Sequence, residues 1–417
     1  VSTTHPEPQP RTSPRPGPAR TETADVVVVG GGIMGLQVAW RLAQKRIGSV
    51  VLFEQRRFGH GSSGKSGAIL RQHYSHETLI KMARASLAEY AELDAERRAA
   101  TGGGIGFQRP GMLFVTYARE RETLATNVAL QRSCGVVVDL LDAAGLRRLE
   151  PRATFDDSVV GAFEREAGFV DPALALAAVA AQAHAAGARL VEGARVVDVE
   201  VDAERRVRGV ALADGSRVAT RTLINCGGPW AARLTQRLGL ELPLQAVRPE
   251  QAFFAPPRDH GVERRICADL PNGTYWKSEA SGLTRVGLLS FANDQRVDDP
   301  DRYDEGASGR FVADCRARLA RRVPAYADAT CWGGCGALYT VTPDAQALIG
   351  RVDGVEGLFI VSGFSGHGFK LGPAVGRGVA ALVAGGNPAP LDPAFFSPRR
   401  FKEGRKNAAA YDYGVLG

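Results

Sequence analysis

The residues with the clearest chemistry lie in one segment near the C-terminal end: Gly363, Phe364, Ser365, Gly366, His367, Gly368, Phe369 and Lys370. Four apolar β-formers, Leu358 to Val361, precede it, and a helical pattern opened by Pro373 follows. A proline early in a helix fits, because its missing N–H has no partner there anyway. Glycines between a strand and a helix leave backbone N–H groups bare at the helix N-terminus, a site that favours negative charge. Lys370 adds a cation to it. The anion can be part of a cofactor or of a substrate. A second anion loop stands near the other end, where Gly30, Gly32 and Gly35 make a GxGxxG after the β-branched run Val26 to Val29. There the first glycine allows a tight turn, the second lets a pyrophosphate approach, and the third lets the helix lie on its strand. Glu54 follows the next apolar run, about 20 residues on, where a ribose-binding carboxylate belongs. An acid there argues against a ribose 2′-phosphate and so against NADP. The motif itself does not separate FAD from NAD; its single, N-terminal occurrence and the split domain that follows favour FAD.

Both loops need a parallel sheet behind them. Order is expected to begin at Ala24, with a strand at Val26 to Val29, a helix from Met34 to about Arg46 and a second strand from Ser49 to Phe53. A helix follows from about Glu77 to Ala99, and the glycines from Gly102 to Gly106 mark a crossing into another domain. The chain is expected back in the first domain near Phe163 to Phe169, with an Ala-rich helix, a strand Leu190 to Val201, a hairpin closed by Asp214 and Gly215, and a strand Arg221 to Asn225. Alternating strands and a polar helix fill Val247 to Val323, and a strand, loop and helix from about Leu348 to Gly385 close the first domain. The fold class is therefore α/β, α+β overall, with a Rossmann-like domain that is discontinuous in sequence. Its expected pieces are 24–107, 151–246 and 336–395. An antiparallel-sheet domain of 108–150 and 247–335 is inserted, 1–23 is a disordered leader, and 396–417 is a C-terminal arm.

Bulk composition excludes several classes. At 417 residues the chain exceeds one small core. The most apolar long stretch, Ala173 to Ala188, is interrupted by Gln182 and His184, so it reads as a buried helix and no membrane span is expected. The net charge of +7 is spread out and partly sits near the two ends, which does not make a nucleic-acid stripe. Six cysteines are too sparse for a disulfide scaffold and fit a reducing, cytoplasmic setting. Cys331 and Cys335 lack a second ligand pair, so no metal site is expected.

Taken together, the motifs resemble the D-amino acid oxidase superfamily of FAD enzymes, in the branch of sarcosine oxidase, glycine oxidase and dimethylglycine dehydrogenase. The resemblance runs from about Ala24 to Phe401. It rests on the fingerprint with Glu54, on Gly61 to Gly67 leading to Arg71, on Asn225 to Trp230, on Tyr339 to Asp344, and on the segment ending at Lys370. It implies an FAD-binding domain, an inserted substrate domain, and FAD contacts from Gly30, Gly32, Ile33, Met34 and Gly35. Further contacts are implied at Glu54 and Gln55, at Ser62, Ser63, Ser66 and Leu70, and at Val196, Gly227 and Trp230. Gly366, His367, Gly368, Phe369 and Lys370 complete the flavin side.

The same resemblance implies that Arg71 and Lys370 hold a substrate carboxylate, that Tyr339 lines the substrate pocket, and that His73 lies close enough to touch substrate or flavin. Two cations in a partly dry pocket would each contribute roughly 1.5–3 kcal/mol through charge-assisted hydrogen bonds. Sarcosine oxidases attach FAD through a cysteine two residues before the tyrosine; that place is Ala337, so non-covalent FAD is expected. Those oxidases also use a lysine on a substrate-domain strand to promote reaction with oxygen, and here the nearest candidate is Arg285. The implied partners are a small carboxylate-bearing amine, and O2 or another electron acceptor, with a partner subunit as one form of the latter. The implied activity is oxidation of a C–N bond to an imine. The alternatives are a dehydrogenase subunit that passes electrons onward and a flavin-binding assembly subunit without turnover. An NAD-linked enzyme is a weaker rival.

Overall fold

The computed structural model describes residues 21–258, 265–289 and 295–407. Within them lie the helices α1 (Ile33–Gln44), α2 (Glu77–Thr101), α3 (Arg121–Ser133), α4 (Ala143–Leu149), α5 (Pro172–Ala185), α6 (Ala231–Arg237), α7 (Gly309–Arg322) and α8 (Gly368–Val383). A six-stranded sheet runs in the order Leu348–Arg351, Leu358–Ser362, Thr222–Asn225, Val26–Val29, Val50–Phe53, Arg189–Val191. All its pairings are parallel except the first. Strand side chains alternate between faces, and here both faces are covered. Val26 and Val28 pack among the helices α1, α5 and α8, while Val27 and Val29 pack against a four-stranded sheet through Val199, Val210 and Val218. That double burial explains the unbroken run of valines.

A larger sheet of eight strands has the order Cys331–Gly336, Glu250–Phe254, Thr284–Leu288, Thr274–Ser278, Ile266–Asp269, Met112–Tyr117, Val159–Glu164, Val138–Leu141. It is antiparallel except where Ile266–Asp269 runs parallel to Met112–Tyr117. The expected return to the first domain at residue 151 comes too early, because Val159–Glu164 pairs with strands on both of its sides in this larger sheet. The short ladder of Ile69–Leu70 with Gly168–Phe169 is where the chain meets the first domain again.

Three other local expectations are corrected. The stretch Leu190 to Val201 is two strands in different sheets: Arg189–Val191 joins the six-stranded sheet and Val196–Val201 the four-stranded one. The break occurs because Gly193 (φ +70°) and Ala194 turn to donate to the carbonyls of Arg56 and Glu54. Order begins before Ala24, since Thr21–Thr23 pairs in parallel with Arg217–Ala219 through backbone groups that need no apolar side chains. The rest of the expected leader, and the arm beyond residue 407, lie outside the described residues. The Ala-rich stretch forms α5, capped by Asp171, whose carboxylate accepts from the Leu174 amide, with Pro172 at the first position. It buries one face against α1 rather than its whole surface.

Helix α8 opens at Gly368, not at Pro373, which is its sixth residue. A proline there withholds the N–H that would bond the Phe369 carbonyl four residues back. The Tyr90 hydroxyl on α2 supplies the missing donor, 2.7 Å from Phe369 O. The tyrosine lets the helix start five residues earlier than the proline rule suggests, and this extra turn brings Gly368 to Lys370 to its N-terminus.

Candidate functional site

The site begins where three parallel strands end. The chain after Val26–Val29 turns at Gly30 (φ +105°), where a Cβ would lie 2.5 Å from the Cys226 carbonyl oxygen, and a Cβ on Gly35 would collide with Gly30 O. Only glycine permits this contact between the α1 head and the Cys226–Gly227 turn after Thr222–Asn225. Glu54 lies beside it, accepting from the Gly31 amide at 2.7 Å and the Arg56 amide at 2.8 Å. Ser63 Oγ accepts from the Ile33 amide at 3.0 Å, tying the loop of residues 61–67 to the same helix end. The amides of Gly32 and Met34 have no acceptor among the described residues. They face a cavity of about 270 Å³, so an anion with several acceptor oxygens fits there.

That cavity runs to the head of α8. Besides Gly30, Gly32, Ile33 and Met34, it is lined by Glu54, Gln55, Ser62, Ser63 and Ser66, by Val196, Gly227 and Trp230, and by Tyr339, Gly366, Gly368 and Phe369. Ser365 holds an αL conformation (φ +47°) with its amide bonded to Thr340 O at 2.9 Å, and Gly366 (φ +87°) lies against the Tyr339 ring. Ala337 is part of the lining, whereas Cys335 is not. Lys65, inside the Gly61–Gly67 motif but given no role from it, and Arg195 and Arg233, which no motif included, are also in the wall.

Six of the sequence-derived residues contribute elsewhere. Gly35 serves helix–strand packing, and Leu70 is buried in the ladder with Gly168. Arg71, His73, His367 and Lys370 lie outside the lining of this cavity, all of them buried. The Arg71 guanidinium sits over the Tyr74 ring, 4.4 Å from its centroid, and donates to the His73 carbonyl. The His73 ring stacks on Phe114 with centroids 4.1 Å apart, and its Nδ1 is 3.1 Å from Gln131 Nε2. Burial, reinforced by Arg71, pushes this imidazole down to about 3. At that value His73 is neutral near pH 7, packed beside Arg71. The His367 ring lies 5.6 Å from that of Tyr74.

Sequence reasoning missed the carboxylate at the centre of this cluster. Glu164, 2% exposed, accepts from the Gln72 amide through both oxygens at 2.8 and 2.9 Å, from Gln72 Nε2 at 3.0 Å and from the His73 amide at 3.1 Å. Burial pushes it up to about 7, against the pull of those bonds and of Arg71. Lys370 lies in the same field: burial drives its ammonium well below the usual lysine range, Arg71 adds to that, and Glu164 opposes it. A lone glutamate in a strand carries no spacing signal, so no motif could have pointed to it.

A second missed residue is the cation Lys277, which stands directly across the strand pair from Arg285. Arg285 is committed to Glu279, Gln251 and the Lys65 carbonyl. Lys277 Nζ lies 3.2 Å from Glu279 and 4.0 Å from the centre of the Phe169 ring, and burial pushes it down to about 8.

Residues 25–382 match the family model described as FAD dependent oxidoreductase, DAO. The chain belongs to the DAO family of FAD-dependent oxidoreductases. Its cofactor is FAD, and the cavity between the α1 and α8 heads has the donors to hold it. Among curated relatives, glycine oxidase of Geobacillus kaustophilus is 28% identical over 87% of this chain and 93% of its own length. Mitochondrial sarcosine dehydrogenase of Homo sapiens is 27% identical over 89% of this chain but only 41% of its own length, so this chain spans less than half of that relative. Among solved structures, L-proline dehydrogenase from P. horikoshii superposes with a TM-score of 0.82 at 25% identity, covering 93% of this chain and 100% of that one. No helix among the described residues is long and apolar enough to cross a membrane.

Gly30→Ala tests the cradle: a methyl group 2.5 Å from Cys226 O at a positive φ forces the α1 head away from the sheet. The variant is expected to purify without bound flavin, read as loss of the visible flavin absorbance. Full retention of flavin would show that this turn does not position the cofactor.

Proposed function

We propose that this DAO-family oxidoreductase oxidises the C–N bond of a small amino acid or N-alkyl amino acid, such as sarcosine, glycine or a cyclic imino acid. The product is an imine that water then hydrolyses. The observation that carries this reading is a pair of basic side chains buried together: Lys370 lies in the field of Arg71, and the Glu164 carboxylate acts on both. Burial and Arg71 hold the Lys370 ammonium well below the usual lysine range, and buried charge is costly unless paired. A substrate carboxylate would pair with Arg71 and draw Lys370 to its charged form.

FAD, when bound, supplies the ring that accepts the hydride. The chain does the rest: Arg71 and Lys370 hold the carboxylate, so that the carbon next to nitrogen is oriented for transfer. The same positive field disfavours a substrate ammonium and favours the neutral amine, whose lone pair assists hydride departure. The Tyr339 ring against Gly366 in the cavity wall supports its reading as a pocket residue, and the amides at the head of α8 would stabilise negative charge developing near them. Ala337 in the cavity wall supports non-covalent attachment. The six cysteines, all free, support a cytoplasmic setting.

For the electron acceptor, Arg285 is held by Glu279, Gln251 and the Lys65 carbonyl, and Lys277, the lysine directly across the strand pair, is the residue to test for a role toward oxygen. A second reading, transfer to a partner protein, is favoured by the arginine, not lysine, at position 285. Peroxide formed by the purified chain with an amino-acid substrate, and slowed about tenfold or more in Lys277→Met, supports oxygen as acceptor. Reduced flavin that persists in air supports a partner.

Arg71→Ala and Lys370→Met are each expected to keep flavin bound and to cut amino-acid turnover at least about a hundredfold, since removing one partner of a buried charge pair costs on the order of 2–5 kcal/mol. Normal turnover in both variants contradicts the carboxylate assignment.

The pH dependence of anion binding follows from the same cluster. Burial pushes Glu164 up to about 7. As pH falls through that value, Glu164 takes up a proton and a competing negative charge is lost. Propionate, a carboxylate without an amine, is therefore expected to bind more tightly from about pH 8 down to about pH 6, by up to about tenfold per pH unit. Perturbation of flavin absorbance reads the affinity. An affinity that is flat or weakens on acidification contradicts the cluster's role.

A further inference from the structure

The cavity is bridged from outside by one segment, residues 299–305, between the strand Gln295–Val297 and α7. On one side Asp301 accepts from Trp230 Nε1 at 2.9 Å, from Arg233 at 2.6 Å and from Arg195 at 3.4 Å, with Arg56 at 3.9 Å. Asp299 takes the second nitrogen of Arg233. On the other side Lys65 Nζ bonds Tyr303 Oη at 2.8 Å, Glu305 at 2.7 Å and the Gly336 carbonyl at 3.0 Å. Lys65, Arg195, Trp230 and Arg233 all line the cavity, whereas Asp301, Tyr303 and Glu305 stand behind them. The two walls come close at Gly61, where an added Cβ would lie 3.3 Å from the Trp230 ring.

FAD held in this cavity would lie between lining residues that the segment ties together, and widening the cavity to admit or release it would part those two walls. Parting them breaks the bonds that the segment makes to both. We infer that residues 299–305 are a strap that controls FAD exchange, with Asp301 as its latch on the Trp230 wall and the Lys65 contacts as its anchor on the other. The inference concerns cofactor retention and is independent of the substrate. Charged hydrogen bonds are stronger than neutral ones, and the Asp301 side chain is only 24% exposed. Although burial raises it, the bonds from Arg233 and Trp230 win and hold its carboxyl below the usual aspartate range. The neighbouring pair Arg296–Asp298 is 70% and 86% exposed and touches neither wall, which makes it the natural control.

The test is FAD release from holoprotein, followed by the rise of free-flavin fluorescence after dilution at low and at high salt. Asp301→Asn is expected to release FAD at least tenfold faster than the parent. Salt is expected to speed release in the parent and to have a smaller effect in the variant, because screening acts on charges that the variant has lost. Asp298→Asn is expected to match the parent. If Asp301→Asn does not fold, the double variant Tyr303→Phe, Glu305→Gln breaks the opposite anchor and is expected to speed release likewise. Release within twofold of the parent in a folded strap variant overturns the strap and leaves the cofactor assignment standing. A parent chain that holds no FAD overturns both.

Discussion

Parallel pairing places the two anion-binding helix ends together. Val26–Val29 and Leu358–Ser362 are more than three hundred residues apart in sequence, yet both pair in parallel with Thr222–Asn225. Strands that run the same way end on the same edge, and ligands of open α/β sheets bind outside that edge. Helices α1 and α8 both start there, so their N-termini share one cavity. If either pairing were antiparallel, one helix head would point to the opposite edge and the site would not exist. The glycine contact between the α1 head and the Cys226 carbonyl follows from the same pairing, because it requires the ends of neighbouring strands to lie level.

The chemistry beside that edge depends on how charge is managed out of water. Arg71, Lys370 and Glu164 come from three separate parts of the chain and are all buried. Glu164 is fixed by backbone amides of Gln72 and His73, so it holds the turn that carries Arg71 as well as opposing its charge. In the function we propose, a ligand carboxylate beside Arg71 supplies the counter-charge that draws Lys370 to its protonated form, and that pairing orients the ligand. The strap at 299–305 applies the same logic at the cavity's outer face, where carboxylates join walls that carry arginine and lysine.

Much of this was legible in the sequence, because local chemistry marks it. The GxGxxG between a valine run and an apolar helix located the first strand, α1 and the glycine turn that opens on the cavity. Glu54 fell where expected at the end of the second strand. The glycine-rich segment before Lys370 located the head of α8. What was not legible depends on long-range pairing. Whether Val159–Glu164 belongs to one sheet or the other is decided by its partners, and its composition suits either. The break after Val191 is made by hydrogen bonds to Glu54 and Arg56, distant residues that no window includes. Pro373 suggested a helix start because the donor replacing its N–H is Tyr90, on another helix. Glu164, Lys277 and Asp301 carry no motif; each matters because folding places it against charges from elsewhere.

The central claim is that the buried cations select a carboxylate-bearing amine. The most direct measurement is the anaerobic rate of flavin reduction by pairs of amines that differ only in that group: proline against pyrrolidine, and sarcosine against dimethylamine. The account predicts that flavin in this chain is reduced by at least one of the acids, and that the matching amine without a carboxylate is at least about a hundredfold slower. Equal rates for an acid and its decarboxylated partner would contradict it.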